Sequence, residues 1–188
     1  FGGWKRSSIG PGAKAGGPNY VNLFRQIQDV EVLSIERARN SFSSAMKEHF
    51  GKEHDPTGLK CESNVFRYRP AHGVLLRLPK ADAVQEEIAK LAAETCRTTC
   101  ELSRENEEDD KLFIARIQRI ANEIEFVRTI NVPSDEVLNA IHKANLNWIH
   151  APLSGVGSVE LPRWLREQAV SETRHRYGNC ISGIEQAK

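Results

Sequence analysis

Val74-Leu-Leu-Arg-Leu78 decides the fold, because it opens a rhythm that repeats as far as residue 153. The run is short and apolar and is closed by Pro79, so it reads as a strand. Residues 81–96 follow as a helix, with Val84, Ile88, Leu91 and Ala92 on one face. The pattern then recurs: Thr98 to Leu102 as a short strand, 105–117 as a helix and 123–130 as a strand. Ser134 caps a helix through Ala144, with Pro133 and Asp135 as first-turn signals, and Asn147-Trp-Ile-His150 is a fourth strand. Strands alternating with helices over short links call for a parallel sheet joined by crossovers. Residues 73–153 are therefore expected to form a Rossmann-like layer, and the fold class is α/β.

Working outward, Ile35, Ala38, Phe42, Ala45, Met46 and Phe50 approximate a 3.6-residue period and predict an amphipathic helix stopped at Gly51. His54-Asp-Pro-Thr-Gly58 reads as a turn. Asn64-Val-Phe-Arg-Tyr-Arg-Pro70 reads as an extended segment that Pro70 confines to an edge or a strand end. Downstream, 153–158 is a loop, and 161–176 is expected to be helical, with Pro162 in its first turn. The Rossmann-like layer thus carries helical N- and C-terminal extensions. The chain divides into a glycine loop over 1–34, a connector over 35–72, the layer over 73–153 and a terminal motif over 154–188.

Composition limits the function classes. The 188 residues suffice for one domain with a real core. Lys and Arg number 26 against 25 Asp and Glu, so the net charge of +1 gives no long-range field for nucleic acid or an anionic membrane. No apolar run is long enough for a membrane span and no charged-then-apolar leader is visible, so a cytoplasmic location is expected. Cys61, Cys96, Cys100 and Cys180 are too few and too irregular for a disulfide framework and are expected to be thiols.

Few residues carry chemistry. Gly10-Pro-Gly-Ala-Lys-Ala15 formally satisfies a dinucleotide fingerprint, but Pro11 and Gly16-Gly-Pro18 prevent the strand-to-helix context that the motif needs. Cys96 and Cys100 lack the second ligand pair of a zinc site. Arg104-Glu-Asn-Glu-Glu-Asp-Asp-Lys111 is read as a solvated helix start rather than a carboxylate dyad. His142 and His150 are singletons, assigned to the scaffold. The basic residues of 166–176 are interrupted by Glu167 and Glu172 and favour protein docking over phosphate contact.

Two motifs resemble a known family. Phe1-Gly-Gly3 and Lys14-Ala-Gly-Gly-Pro18, with Tyr20, are similar to the stretch near the C-terminus of the aldehyde dehydrogenases that act on glutamate γ-semialdehyde. Trp164-Leu-Arg-Glu-Gln-Ala-Val-Ser-Glu-Thr-Arg-His-Arg-Tyr-Gly-Asn179 resembles the terminal motif of the bifunctional proline-utilisation proteins, which join a proline dehydrogenase to the semialdehyde dehydrogenase. The resemblance implies a C-terminal fragment of such an enzyme, with NAD, and FAD where the proline dehydrogenase half exists, bound elsewhere in the parent and none by this fragment. It implies that Phe1, Gly2 and Gly3 line the aldehyde pocket. The catalytic cysteine and glutamate would lie upstream, leaving this chain noncatalytic. Trp164, Glu167, Arg174, His175, Arg176 and Tyr177 would form a lid or assembly motif that packs over the enzyme body and seals an internal passage. The expected partners are the rest of the parent and further copies in a homo-oligomer.

Two other readings stand beside this one. Residues 60–188 could be a self-standing oligomerisation module, a compact dimer that buries the Phe66–Tyr68 strand and the terminal helix. A nucleotide-binding regulatory domain would use the crevice at the strand ends, but the turns Pro79-Lys80, Ser103-Arg104 and Pro133-Ser134 carry no glycine to admit a phosphate.

Overall fold

A computed structural model describes residues 33–173 together with Tyr20 and Phe24. The first helix, α1 (Ile35–Ala45), starts where the Ser34 hydroxyl accepts the Arg37 N–H, and it buries Ala38 and Phe42. It runs on into one π-helical turn, Met46–Phe50, that buries Phe50. A Cβ at Gly51 would lie 2.8 Å from the Met46 carbonyl oxygen, so glycine is the residue that fits this stop.

The rhythm expected from Val74 onward is present. It comprises β2 (Gly73–Leu78), α2 (Ala83–Cys96), β3 (Thr99–Arg104), α3 (Asp110–Ile120), β4 (Phe126–Thr129), α4 (Asp135–Lys143) and β5 (Asn147–His150), preceded by β1 (Glu62–Pro70). The sheet order is β3-β2-β4-β5 and every pairing is parallel. Leu75 sits opposite both Glu101 and Val127, and Val127 opposite Trp148.

Alternation along the strands sorts the core into two halves. Val74, Leu76, Leu78 and Phe126 pack with Ile88, Leu91 and Ala92 of α2 and with Ala38 and Phe42 of α1. Leu75 and Val127 face the other way, onto Phe113 and Ile117 of α3 and Val137 and Ile141 of α4. Each helix of the layer is capped by a side chain: Asp82 accepts from Val84 and Gln85, Asp109 from Leu112, and Ser134 from Val137. A cap is worth ~1 kcal/mol, whereas one fully buried Leu, Ile or Phe contributes ~1.5–3 kcal/mol. The core therefore holds the layer together, and the caps set where its helices begin.

Two expectations are corrected. The segment expected as a helix over 161–176 is a short α5 (Gly157–Glu160), a 3-10 turn (Leu161–Arg163) and a strand, β6 (Leu165–Thr173). Leu165 and Glu167 are buried while Arg166 and Gln168 between them are half-buried, a period of two that fits a strand. β6 pairs antiparallel with β1 along its whole length, from Pro70 opposite Leu165 to Glu62 opposite Thr173. The C-terminal extension of the described chain is thus one strand of a two-stranded ribbon. Cys61, expected as a thiol, is disulfide-bonded, whereas Cys96 and Cys100 are free. Burial raises both of these thiols, Cys100 to about 12.

Candidate functional site

A charged residue in the middle of a buried parallel strand needs a partner, because an unpaired charge cannot be carried into a core. Arg128 on β4 is such a residue, and it is fully buried. Its Nη1 donates to Glu160 Oε1 at 2.5 Å, Nη2 to Glu160 Oε2 at 3.1 Å and Nε to the Ala151 carbonyl at 3.0 Å, and Nη2 also donates to the Pro152 carbonyl. Glu160 is equally buried and accepts further bonds from Trp164 Nε1 at 2.8 Å, the Ser154 N–H at 2.9 Å and Arg163 Nη1 at 3.2 Å. Burial alone would raise the Glu160 carboxyl, but the Arg128 charge and hydrogen bond, Arg163 and the Trp164 N–H outweigh it and hold the group below the usual carboxylate range. The polar demand of the pair is met by bonds within the fold.

This cluster fixes the start of the ribbon. Trp164 has no exposed surface, and its carbonyl accepts the Ala71 N–H at 3.0 Å and the Thr98 hydroxyl at 2.9 Å. Glu167 is buried on β6 opposite Tyr68 of β1. α5 is held against α1 by close approach: a Cβ on Gly157 would meet the Ser41 carbonyl oxygen at 2.5 Å, and the Gly157 N–H donates to Ser41 Oγ. Of the residues expected to act in a lid or in assembly, Trp164 and Glu167 therefore lie three positions apart at the root of β6. Arg174, His175, Arg176 and Tyr177, like Phe1, Gly2 and Gly3, fall outside the described residues.

The crevice at the C-terminal ends of β2 and β4, where the strand order reverses, is the usual ligand site of an open parallel sheet. Here it is filled by side chains of the chain itself. Arg77 on β2 donates from Nη2 to Asp110 Oδ1 at 2.8 Å and to the Glu108 carbonyl at 3.2 Å, with its guanidinium carbon 4.0 Å from the centroid of the Phe113 ring. Asp110 also accepts from Ser134 Oγ, and Asn131 donates to Glu105 across the same gap. The helix N-termini that would meet a phosphate are taken by Asp82, Asp109 and Ser134. These helix starts are thus already capped by the chain's own oxygen atoms, and the turns leading into them carry no glycine.

At the opposite end of the sheet lies an open cleft of about 470 Å³ between the layer and the ribbon. Glu125, just before β4, is 6% exposed. Its Oε2 accepts the His72 N–H at 3.0 Å, and its Oε1 is buried without a hydrogen-bond partner. Arg166 of β6 approaches with Nε 3.8 Å from Oε2, too long for a hydrogen bond. Asn122, Asn145, Ile124 and Leu146 complete the wall.

Sequence reasoning named Trp164 and Glu167 but missed Arg128, Glu160, Glu125 and Arg166 as a set. Arg77 and Arg128 were visible as cations inside otherwise apolar strands, which signals a buried pair; nothing local indicates which carboxylate answers them.

Fold and sites together define a Rossmann-like α/β layer whose strand-end crevice is crossed by hydrogen bonds between its own side chains and which carries an antiparallel ribbon. Over 95% of its length the chain is similar to "Proline Utilization A (PutA) from Corynebacterium freiburgense", at 33% sequence identity and a TM-score of 0.67. It spans 19% of that protein, and over this span its fold is PutA-related. No protein-family model matches the chain, and no curated protein matches it.

Proposed function

We propose that the chain is a C-terminal segment of a proline-catabolising oxidoreductase, and that its own role is assembly or the sealing of an internal passage rather than catalysis. The observation that carries this reading is the 33% identity to PutA across 95% of the chain. The glycine motifs at residues 1–18 and the motif from Trp164, which resemble motifs of that family, add to it.

In this reading the parent oxidises glutamate γ-semialdehyde to glutamate with NAD, and a parent with the additional half also oxidises proline with FAD. The catalytic thiol and its base lie upstream, Phe1, Gly2 and Gly3 line the aldehyde pocket, and the protein is a cytoplasmic homo-oligomer. The 1–34, 35–72, 73–153 and 154–188 division then separates the last loop of the catalytic domain, a connector, a noncatalytic layer and the terminal motif. The buried Arg128–Glu160–Trp164 cluster supports the docking role, because it gives the terminal motif a rigid root.

The test is NADH formation with glutamate γ-semialdehyde, comparing this chain with the product of its reading frame extended upstream. Turnover by the extended protein alone is the expected result. Absence of turnover in both overturns the substrate assignment and leaves the oligomerisation module as the better reading.

A further inference from the structure

We propose that His49 and His54 form an acid-operated latch, which holds the connector after the π-helical turn against the outer edge of β1 and releases it when the pair takes up protons. This inference rests on the histidine pair and does not depend on the function proposed above.

The latch joins three elements. His49 lies in the π-helical turn Met46–Phe50, and His54 lies in the connector beyond Gly51. On β1, Phe66 stands opposite Ala169 of β6, and its backbone groups turn outward to His54. The His54 N–H donates to the Phe66 carbonyl at 2.8 Å, and the Phe66 N–H to the His54 carbonyl at 2.7 Å. This pair covers part of a strand edge that would otherwise offer itself to a further strand. Side chains lock the arrangement. His54 Nε2 donates to the His49 carbonyl at 3.0 Å, His49 Nε2 lies 2.9 Å from the Tyr68 hydroxyl, and the two imidazole centroids are 4.7 Å apart.

Two imidazoles this close repel each other once both are charged. Each is half-buried, so protons reach it while part of its hydration is lost. The carboxylates nearby in the chain are engaged by other groups: Glu48 accepts from the Ser44 hydroxyl, Glu53 pairs with Arg67 at 2.8 Å, and Asp55 accepts from Thr57 and Gly58. Lys47 and Lys52 flank the turn, and across the ribbon Glu167 lies opposite Tyr68. His49 is held below its ordinary value of 6.5, by burial first and by His54 second. The open form therefore takes up the proton first. The latch is complete above about pH 6.5, weakens as pH falls through that value, and has lost its full share below the lowered value of His49. Glu160 acts only below its ordinary 4.5, so the two acid responses are separate.

The experiment follows backbone amide exchange in the full chain by NMR at about pH 7.5 and about pH 5, expressed as protection relative to an unstructured chain, with the His49 ring signal titrated alongside. Protection of the Phe66 and His54 amides should fall at least about threefold in acid, while Leu76 and Val127 in the sheet keep theirs. His49→Gln keeps an amide that can reach the Tyr68 hydroxyl and should abolish the fall. His54→Gln keeps the backbone pair but removes the neighbouring charge, and should reduce it. Unchanged protection at Phe66 in the wild-type chain overturns the proposal, and so does an equal fall at Leu76 and Val127, which would be general unfolding. A fall in folded His49→Gln equal to that of the wild type does the same. Should His49→Gln not fold, His54→Gln decides, and an undiminished fall there overturns the latch.

Discussion

The two ends of the four-stranded sheet answer the same problem in opposite ways. At the C-terminal end, Arg128 and Arg77 are buried cations whose partners are supplied from within: Glu160 with the Ala151 and Pro152 carbonyls for one, Asp110 and the Glu108 carbonyl for the other. At the N-terminal end, the buried Glu125 carboxyl has the Arg166 Nε 3.8 Å away. Each end keeps one buried atom without a hydrogen-bond partner, Arg77 Nη1 at the end where an open parallel sheet normally takes its ligand and Glu125 Oε1 at the other, so the ends differ in how closely the opposite charge approaches: Asp110 lies 2.8 Å from Arg77, and Arg166 lies 3.8 Å from Glu125. A fold class places a crevice; the side chains decide whether anything is left there to bind.

The largest expected effect breaks the closed end. Glu160→Ala strands Arg128 in the core and should cost about 3–5 kcal/mol in urea unfolding. A loss below about 1 kcal/mol would mean that the pair is solvated and that the contrast between the two ends is wrong. Trp164→Phe keeps most of the ring but removes the N–H donated to Glu160 Oε1, and should cost roughly 1.5–3 kcal/mol. Because both changes act on one cluster, the double variant should lose less than the sum. Additive losses would show that Trp164 and Glu160 act independently.

The same pair predicts a pH dependence. The Glu160 carboxyl titrates below its ordinary 4.5 in the folded chain, so its contribution is complete above that value and is lost as pH falls through the lower folded value. Acid unfolding of the wild-type chain should therefore steepen below pH 4.5, and Glu160→Gln should flatten that limb. An unchanged acid limb in the variant would remove Glu160 from the account.

At the open end the expected effect is small. Glu125→Gln removes the charge that faces Arg166 at 3.8 Å but keeps a carbonyl oxygen to accept the His72 N–H, and should change stability by less than about 1 kcal/mol. A loss of several kcal/mol would erase the difference between the ends. The smallest effect belongs to the ribbon, where Val170 is 41% exposed and Val170→Lys should stay within about 0.5 kcal/mol. A larger loss in dilute solution would point to a covered face and favour the oligomerisation reading.

The layer was legible because its signals are local. Apolar runs such as Val74 to Leu78, the helical stripe of 81–96 and the Ser134 cap with Asp135 in the first turn each declare their element within a few residues, and alternation of strand and helix leaves a parallel sheet as the consistent arrangement. The helix start was placed too early at 105–117, since Asp109 and not the head of the acidic run supplies the cap. The segment from Leu165 was misread for a different reason. Its residues carry no strong local preference, and what makes it a strand is β1, whose Arg67 and Tyr68 stand opposite Gln168 and Glu167 about a hundred residues away in sequence.

The sequence by itself determined the α/β class and the order and type of the elements from Ile35 to His150. Periodicity, capping and burial act over a turn or a strand and can be read there. Only the tertiary structure decided that β6 joins β1, that Arg128 meets Glu160 across 32 residues, and that Glu125 and Arg166 face each other across a cleft. Pairings of this kind depend on which distant surfaces the packed core brings together, and no local pattern encodes them.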